Sequence, residues 1–253
     1  MHRFYLPPSS CQGATLTLEE SESHHALHVL RLREGERAVV LDGAGHEFLC
    51  EVTEVGRRSI TLAMRQKNDF PKPPYSVTLI QAVTKGKTMD VIIEKATELG
   101  ADRIIPILSE RTVPQIDGEA ADLKVEKWRT VAISAIKQCG SPWLPRIERP
   151  ITPQSFLFAG ERFDLVLVGS LQPGSHHPRE YFDAAQAELK RLPASVAVWV
   201  GPEGDFTPAE LHAIKSSGAL PITLGPLVLR SDTAAIYCLS IINYEFQAAR
   251  PGC

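Results

Sequence analysis

No apolar run in this 253-residue sequence approaches the roughly 20 residues that a membrane-spanning helix needs. The opening MHRFYLPPSS lacks the apolar core of a secretory leader, so a cytoplasmic location is expected. Nor is there an excess of basic charge: 27 lysines and arginines face 30 acidic residues, for a net charge of −3. Any nucleic-acid binding must therefore come from a local patch, not from an overall field. The five cysteines (Cys11, Cys50, Cys139, Cys238, Cys253) are odd in number and never stand in a CxxC spacing. That pattern argues against a disulfide framework and against a zinc site, and it suits a reducing compartment. Internal repeats, low-complexity segments and a complete GxxxxGK[ST] phosphate loop are missing as well. What remains is 43% hydrophobic and 23% charged, a globular composition for one or two domains with a real core.

The clearest boundary is QKNDFPKPP, residues 66–74, where three prolines deny the chain both ladder hydrogen bonds and helical geometry. Before it, short alternating runs predict strands. RAVVLD leads through the turn GAG into HEFLCEV, which places Phe48, Cys50 and Val52 on one face, and RSITLAMR repeats the alternation with Ile60, Leu62 and Met64. SESHHALHVL predicts one short helix with its serines as caps. These features suggest a small β-barrel over residues 1–72.

From residue 75 to 253 the period changes. SVTLIQA, RIIPIL, FDLVLVG, SVAVWVG and LPITLG are strands apolar throughout, and helices alternate with them. GKTMDVIIEKATELG puts Met89, Ile92, Ile93, Ala96 and Leu99 on one helical face, with Gly100 as C-cap. Helices also follow over Ala120–Cys139, HPREYFDAAQAELKRL, TPAELHAIKSS and SDTAAIYCLSIINYEF. This is an α/β domain on a parallel sheet, whose ligands gather at the carboxyl ends of the strands. Gly169, Gly201 and Gly225 stand at such ends.

Two breaks, GPEGD and LGPLVLRSD, interrupt the pattern between strand and helix. Thr207-Pro208-Ala209-Glu210 reads as a cap, a proline at the first helical position and a capping box. A helix start favours anions, but Glu203 and Asp205 oppose a phosphate and favour a neutral or cationic ligand such as a sulfonium. The same loop also reads as a tight turn with solvated acids. In the second break, Leu227, Val228 and Leu229 continue apolar beyond the strand. Either they wall a pocket for a flat, partly apolar group such as adenine, or they tuck under neighbouring helices.

Together, GPEGDF, LGPLVLRSDTA, KGKTMDVIIEKATELG and IIPILSERTV, with HHALHVLRLREGE and LDGAGHEF before them, resemble the RsmE family of small-subunit ribosomal RNA uracil-N3 methyltransferases, in the SPOUT superfamily. The resemblance covers nearly the whole chain. It implies an N-terminal PUA-like RNA-binding barrel, a C-terminal SPOUT domain with a deep trefoil knot, a homodimer joined through the last helix, and S-adenosylmethionine as cofactor. Carried over, the cofactor residues are Leu167, Val168, Gly169 and Ser170; Gly201, Pro202, Glu203 and Gly204; and Leu224, Gly225, Leu227, Val228, Leu229, Ser231 and Thr233. The chain has Leu227 where the family commonly has arginine, Asp232 for glutamate, Lys137-Gln138 for Glu-Gln, and Ser141 for arginine.

Methylation at N3 of uracil requires loss of an imide proton and stabilisation of charge spread over O2 and O4. Arg230 is placed to hold a uracil oxygen or a phosphate, or else it braces the loop by pairing with Asp232 or Glu203. Glu203 or Asp232 is the candidate proton acceptor. RNA contacts are expected from Arg3, His24, Arg31, Arg33, Lys85, Lys87 and Gln138, with His25 and His28 on the same short helix as His24. Each of these also reads as a solvated side chain. His24 and His28 have metal-ligand spacing but no third ligand, so no metal is expected. Two other classes stand beside the methyltransferase: a non-catalytic RNA-binding module of the same fold, and an open-sheet nucleotide enzyme, which the missing phosphate loop opposes. A methyltransferase acting on another RNA site is the nearest variant.

Overall fold

The computed structural model describes residues 1–18, 20–112, 116 and 118–248; Cys253, and Val113 of the quoted IIPILSERTV, lie outside them. The chain divides into two compact units, one of Met1–Lys72 with Ile133–Leu144, the other of Pro73–Ala132 with the chain from Pro145 on.

The first unit is a five-stranded mixed sheet of β1 (His2–Tyr5), β2 (Thr15–Leu18), β3 (Arg37–Leu41), β4 (His46–Val55) and β5 (Ile60–Asp69), in the order β1-β3-β4-β5-β2. β1 runs parallel to β3, and the other pairs are antiparallel. Alternation turns Phe48, Cys50 and Val52 of β4 and Ile60 and Leu62 of β5 into one core with Phe4, Leu16 and Leu18. Met64 is only partly buried against it. Register shifts at Leu49/Cys50 and Val52/Glu54 bend the β4–β5 pair.

Between β2 and β3, α1 (Glu20–His24) runs into a π-helical turn, His25–Val29. The expected serine caps are not there. Ser21 and Ser23 lie inside the helix, and buried Ser23 donates instead to the Arg58 carbonyl at 2.6 Å. A buried hydroxyl takes whichever acceptor the packing brings to it.

The second unit holds six parallel strands: β6 (Ser76–Ala82), β7 (Arg103–Ile107), β8 (Arg146–Ile147), β9 (Leu165–Gly169), β10 (Ser195–Val200) and β11 (Leu220–Ile222), ordered β11-β9-β10-β6-β7-β8. Its helices are α2 (Thr88–Glu98), α3 (Gly118–Cys139), α4 (Pro153–Phe158), α5 (Pro178–Leu189), α6 (Pro208–Ser216) and α7 (Ser231–Ala248). In α2, Met89, Ile92, Ile93 and Ala96 are buried, whereas Leu99 is half-buried. Thr97 joins the buried face, its hydroxyl returned to the Ile93 carbonyl at 2.8 Å. Gly100 closes the helix at φ +77°. β8 and α4 were not expected from the sequence: a two-residue strand has no readable period, and α4 begins only with the Thr152 cap and Pro153.

The end of α3 and the following turn belong with the first unit. Arg3 donates to the carbonyls of Lys137 and Gln138, at 3.4 and 3.1 Å. Lys137 pairs with Glu22 at 2.6 Å. Gly45, at φ +96°, lies against Trp143 so closely that a Cβ would fall 2.3 Å from the ring. Gly45 of GAG is therefore required by this approach as well as by the turn.

Candidate cofactor and RNA site

At the carboxyl ends of β9, β10 and β11, in the second unit, three loops line a cavity of about 420 Å³, the size of a small-molecule cleft. Leu171, Leu224, Leu227, Val228 and Leu229 supply apolar walls, and Glu203 and Asp205 supply carboxylates. Leu227 and Val228 are 72% and 78% exposed, so they are not tucked under neighbouring helices. No lysine or arginine is among the lining residues. The cavity therefore favours a neutral or cationic guest with a flat apolar part.

The loop after β10 is built by short-range chemistry. A Cβ on Gly201 would stand 3.3 Å from Asp205 Oδ1 and 3.4 Å from the Phe206 ring, closer than a side chain easily sits. Asp205 takes φ +59°, and its amide donates to Pro202 O at 2.9 Å. At the head of α6 the capping box forms as read: Thr207 Oγ1 accepts from Glu210 N at 3.3 Å, and Glu210 Oε2 accepts from Thr207 N at 2.9 Å. Glu210 is buried, and its other oxygen accepts from Glu110 N at 2.8 Å. Arg111 Nη1 donates to the Gly204 carbonyl at 2.6 Å. The segment after β7 thus holds the GPEG loop in place.

The loop after β11 turns at Gly225, with φ +103°. Ser231 then ties α7 back to the sheet: its hydroxyl donates to Gly201 O at 2.7 Å and accepts from Gln81 Nε2 at 2.9 Å.

Of the residues carried over from the resemblance, Gly169, Ser170, Gly201, Pro202, Glu203, Leu224, Gly225, Leu227, Val228, Leu229 and Ser231 line the cavity. Leu167 and Val168 do not; they are fully buried in β9. Gly204 faces Arg111, and Thr233 stands outside the lining on the first turn of α7. Residues 171–175, Thr223, Pro226 and Ala234 line it unforeseen, although the Pro-Gly pair of SLQPGS is a turn signal after a strand.

Arg230 is exposed, and its side chain meets no hydrogen-bond or ion-pair partner among the described residues. Asp232 Oδ1 accepts from Thr233 N at 2.9 Å instead. Bracing of the loop by Arg230 thus finds no ion pair in this geometry.

The candidate RNA residues fall in both units. In the first, Arg3 is engaged at the end of α3, while Arg31, Arg33 and Gln138 are exposed. His24 and His28 are also exposed, with ring centroids 4.7 Å apart, and line a groove with Arg57 and Arg58. In the second, Lys85 and Lys87 are exposed on either side of Gly86. Among the described residues no group of three His, Cys, Asp or Glu is placed to hold a metal ion.

Residues 71–243 match the family model of the RNA methyltransferase domain, and residues 18–64 match that of the RNA methyltransferase PUA domain. The Mycobacterium bovis Ribosomal RNA small subunit methyltransferase E is 32% identical, the alignment covering 95% of this chain and 90% of the relative. The Bacillus subtilis protein of that name is 29% identical over 99% of each chain. Among solved structures, a Legionella pneumophila methyltransferase with bound cofactor SAM superposes with a TM-score of 0.87 at 30% identity, over 96% of this chain and 97% of that one. With both domain models matched in order and the likeness running almost from end to end, the chain belongs to the Ribosomal RNA small subunit methyltransferase E family of RNA methyltransferases.

Proposed function

We propose that this protein methylates N3 of a uridine in small-subunit ribosomal RNA, with S-adenosylmethionine as methyl donor. The observation that carries the reading is the cation-free cavity with apolar walls and two carboxylates. S-adenosylmethionine brings a flat adenine and, at the sulfonium and the amino group, two positive charges against one carboxylate; the apolar walls suit the adenine and the acidic lining suits the net positive charge. Leu224 and Leu227–Leu229 wall the adenine, and Glu203 and Asp205 offset positive charge. The backbone of Gly169, Gly201 and Gly225 gives close approach.

Bound there, the cofactor supplies an electrophilic methyl group, so the chain's own residues are left to position and to stabilise charge. Arg230, whose side chain has no partner among the described residues, is the donor for a uracil oxygen or the adjoining phosphate. Glu203 or Asp232 takes the imide proton. Arg31, Arg33 and His24 of an N-terminal domain over residues 1–72, together with Gln138 at the end of α3 and with Lys85 and Lys87, grip the RNA. The same reading carries the trefoil knot of a catalytic domain over residues 75–253, and action in the cytoplasm.

A homodimer completes it. The Ala235, Leu239, Ile242 and Phe246 stripe of α7 is buried within the chain, while Tyr237 and Tyr244 are exposed and Ile241 is half-buried. A helix apolar beyond one stripe has a second surface to cover. Light scattering at micromolar concentration is expected to give twice the chain mass.

The deciding experiment offers the purified protein S-adenosylmethionine, ATP and NAD, then small ribosomal subunits lacking the modification. Preference for S-adenosylmethionine and appearance of 3-methyluridine by mass spectrometry are expected. Cofactor binding with a methylated nucleoside other than 3-methyluridine would move the target elsewhere, and no methylation would leave a binding module.

A further inference from the structure

A second cavity, of about 220 Å³, opens in the same unit where the chain leaves β6 and enters α2. Thr84, Lys85, Asp90, Lys124 and Trp128 line it. Two of its oxygens are buried without a hydrogen-bond partner among the described residues: Thr84 Oγ1 and Asp90 Oδ1. Thr84 is only 3% exposed. The other carboxylate oxygen of Asp90 is taken by Lys127 at 2.6 Å.

A buried oxygen left unpaired is destabilising, and two in one cavity describe the guest that would satisfy them. A carboxylate oxygen only accepts, so the guest must donate a hydrogen there. The Thr84 hydroxyl donates or accepts and can serve the neighbouring atom. Lys85 and Lys124 suit a carbonyl or phosphate oxygen, and the buried Trp128 closes part of the wall. β6 and β10 are adjacent and parallel, with Val200 opposite Gln81. Both cavities therefore open at the carboxyl ends of the strands, one beyond β6 and the other beyond β9–β11.

We propose that this cavity is a subsite for a nucleobase bearing an exocyclic amino group, belonging to a nucleotide that flanks the methylated uridine. The amino group donates to Asp90 Oδ1, and the adjacent ring nitrogen or carbonyl meets the Thr84 hydroxyl. Carboxylates accept from such amino groups in base recognition generally. Uracil is disfavoured, because carbonyl oxygens flank its one imide N–H and would face the carboxylate. The nature of the flanked nucleotide rests on the proposed function; the preference of the cavity does not.

The test uses the full chain with the first cavity filled by saturating S-adenosylhomocysteine, titrated calorimetrically with CMP, UMP and ribose 5-phosphate. CMP and UMP differ chiefly in the amino group at issue. CMP is expected to bind about tenfold or more tighter than UMP. Thr84→Val should cut that preference several-fold and Asp90→Ala should abolish it, each with S-adenosylmethionine affinity unchanged as the check on folding. Lys127→Ala, which spares the cavity oxygens, should keep the preference. Equal binding of CMP and UMP, binding no tighter than ribose 5-phosphate, or a preference that survives in Thr84→Val and Asp90→Ala would overturn the assignment. Failure of the wild type to form 3-methyluridine would instead overturn the proposed function and leave the CMP preference standing.

Discussion

The Ser231 hydroxyl donates to the carbonyl of Gly201, 30 residues earlier in the chain, at 2.7 Å. It accepts at the same time from Gln81 Nε2, 150 residues away, at 2.9 Å. One hydroxyl thus joins the end of β6, the loop after β10 and the head of α7, and two of those three elements line the larger cavity. Gln81 is wholly buried and Ser231 nearly so, so water does not replace the missing partner on the Gln81 side when the hydroxyl is removed.

Ser231→Ala should therefore take one partner from the Gly201 carbonyl and leave the Gln81 amide only its bond to the Ala82 carbonyl, at 2.9 Å. The expected loss of stability is about 1–3 kcal/mol, seen as a lower melting temperature. Affinity for S-adenosylmethionine should fall about tenfold, because the loops lose their common anchor. A variant that melts earlier but binds the cofactor as tightly as the wild type would confine the bond to folding.

The local parts of this site were legible in the sequence, and the long-range parts were not. Thr207-Pro208-Ala209-Glu210 announces its capping box because every partner lies within four residues. Leu227–Leu229 announce a wall because an apolar run past a strand end needs a reason. By contrast, the buried Gln81 side chain sits among residues that read as plain strand, and only the fold brings Ser231 to it. Leu167 and Val168 belong to the core because β9 is flanked by β10 and β11 on both edges, a placement that strand periodicity does not reveal. The helical period of α3 likewise runs unbroken through Ile133, where the chain passes from one compact unit to the other.

That passage bears on truncation. A chain beginning at Tyr75 keeps every residue of the larger cavity and should bind S-adenosylmethionine, while methylation of ribosomal subunits is lost with the N-terminal residues. It also removes Arg3, Glu22 and Gly45, the partners of Lys137, Gln138 and Pro142. Amide exchange across residues 133–144 should therefore accelerate at least tenfold while the cavity loops stay protected. A folded fragment that fails to bind the cofactor would contradict this.

The buried thiols predict an alkaline limit. Burial pushes Cys238 up to about 12 and Cys50 up to about 11, from an ordinary 9.0. The folded state keeps protons that the unfolded state gives up above pH 9, so unfolding becomes easier as pH rises from 9 toward 11. Below pH 9 these groups contribute no slope. Melting temperatures between pH 8 and 10.5 should fall more steeply for the wild type than for a Cys50→Ala, Cys238→Ala double variant. Equal slopes would remove the thiols from the account. Exposed Cys139 should meanwhile alkylate at pH 8 far faster than Cys50 or Cys238.

Arg230 separates a catalytic role from a scaffolding one. Its side chain has no intramolecular partner among the described residues and lies outside the cavity lining, so Arg230→Ala should leave affinity for S-adenosylmethionine within about twofold of the wild type. If the guanidinium stabilises charge on the uracil or fixes its phosphate, the loss appears in turnover. One preorganised donor is worth on the order of 3 kcal/mol, which corresponds to a fall of about a hundredfold or more in kcat. Arg230→Lys keeps the charge without the planar fork and should recover only part of that loss. Calorimetry and single-turnover methylation on the same preparation decide the matter. An unchanged rate at saturating cofactor would take Arg230 out of the chemistry and shift charge stabilisation to another donor near α7.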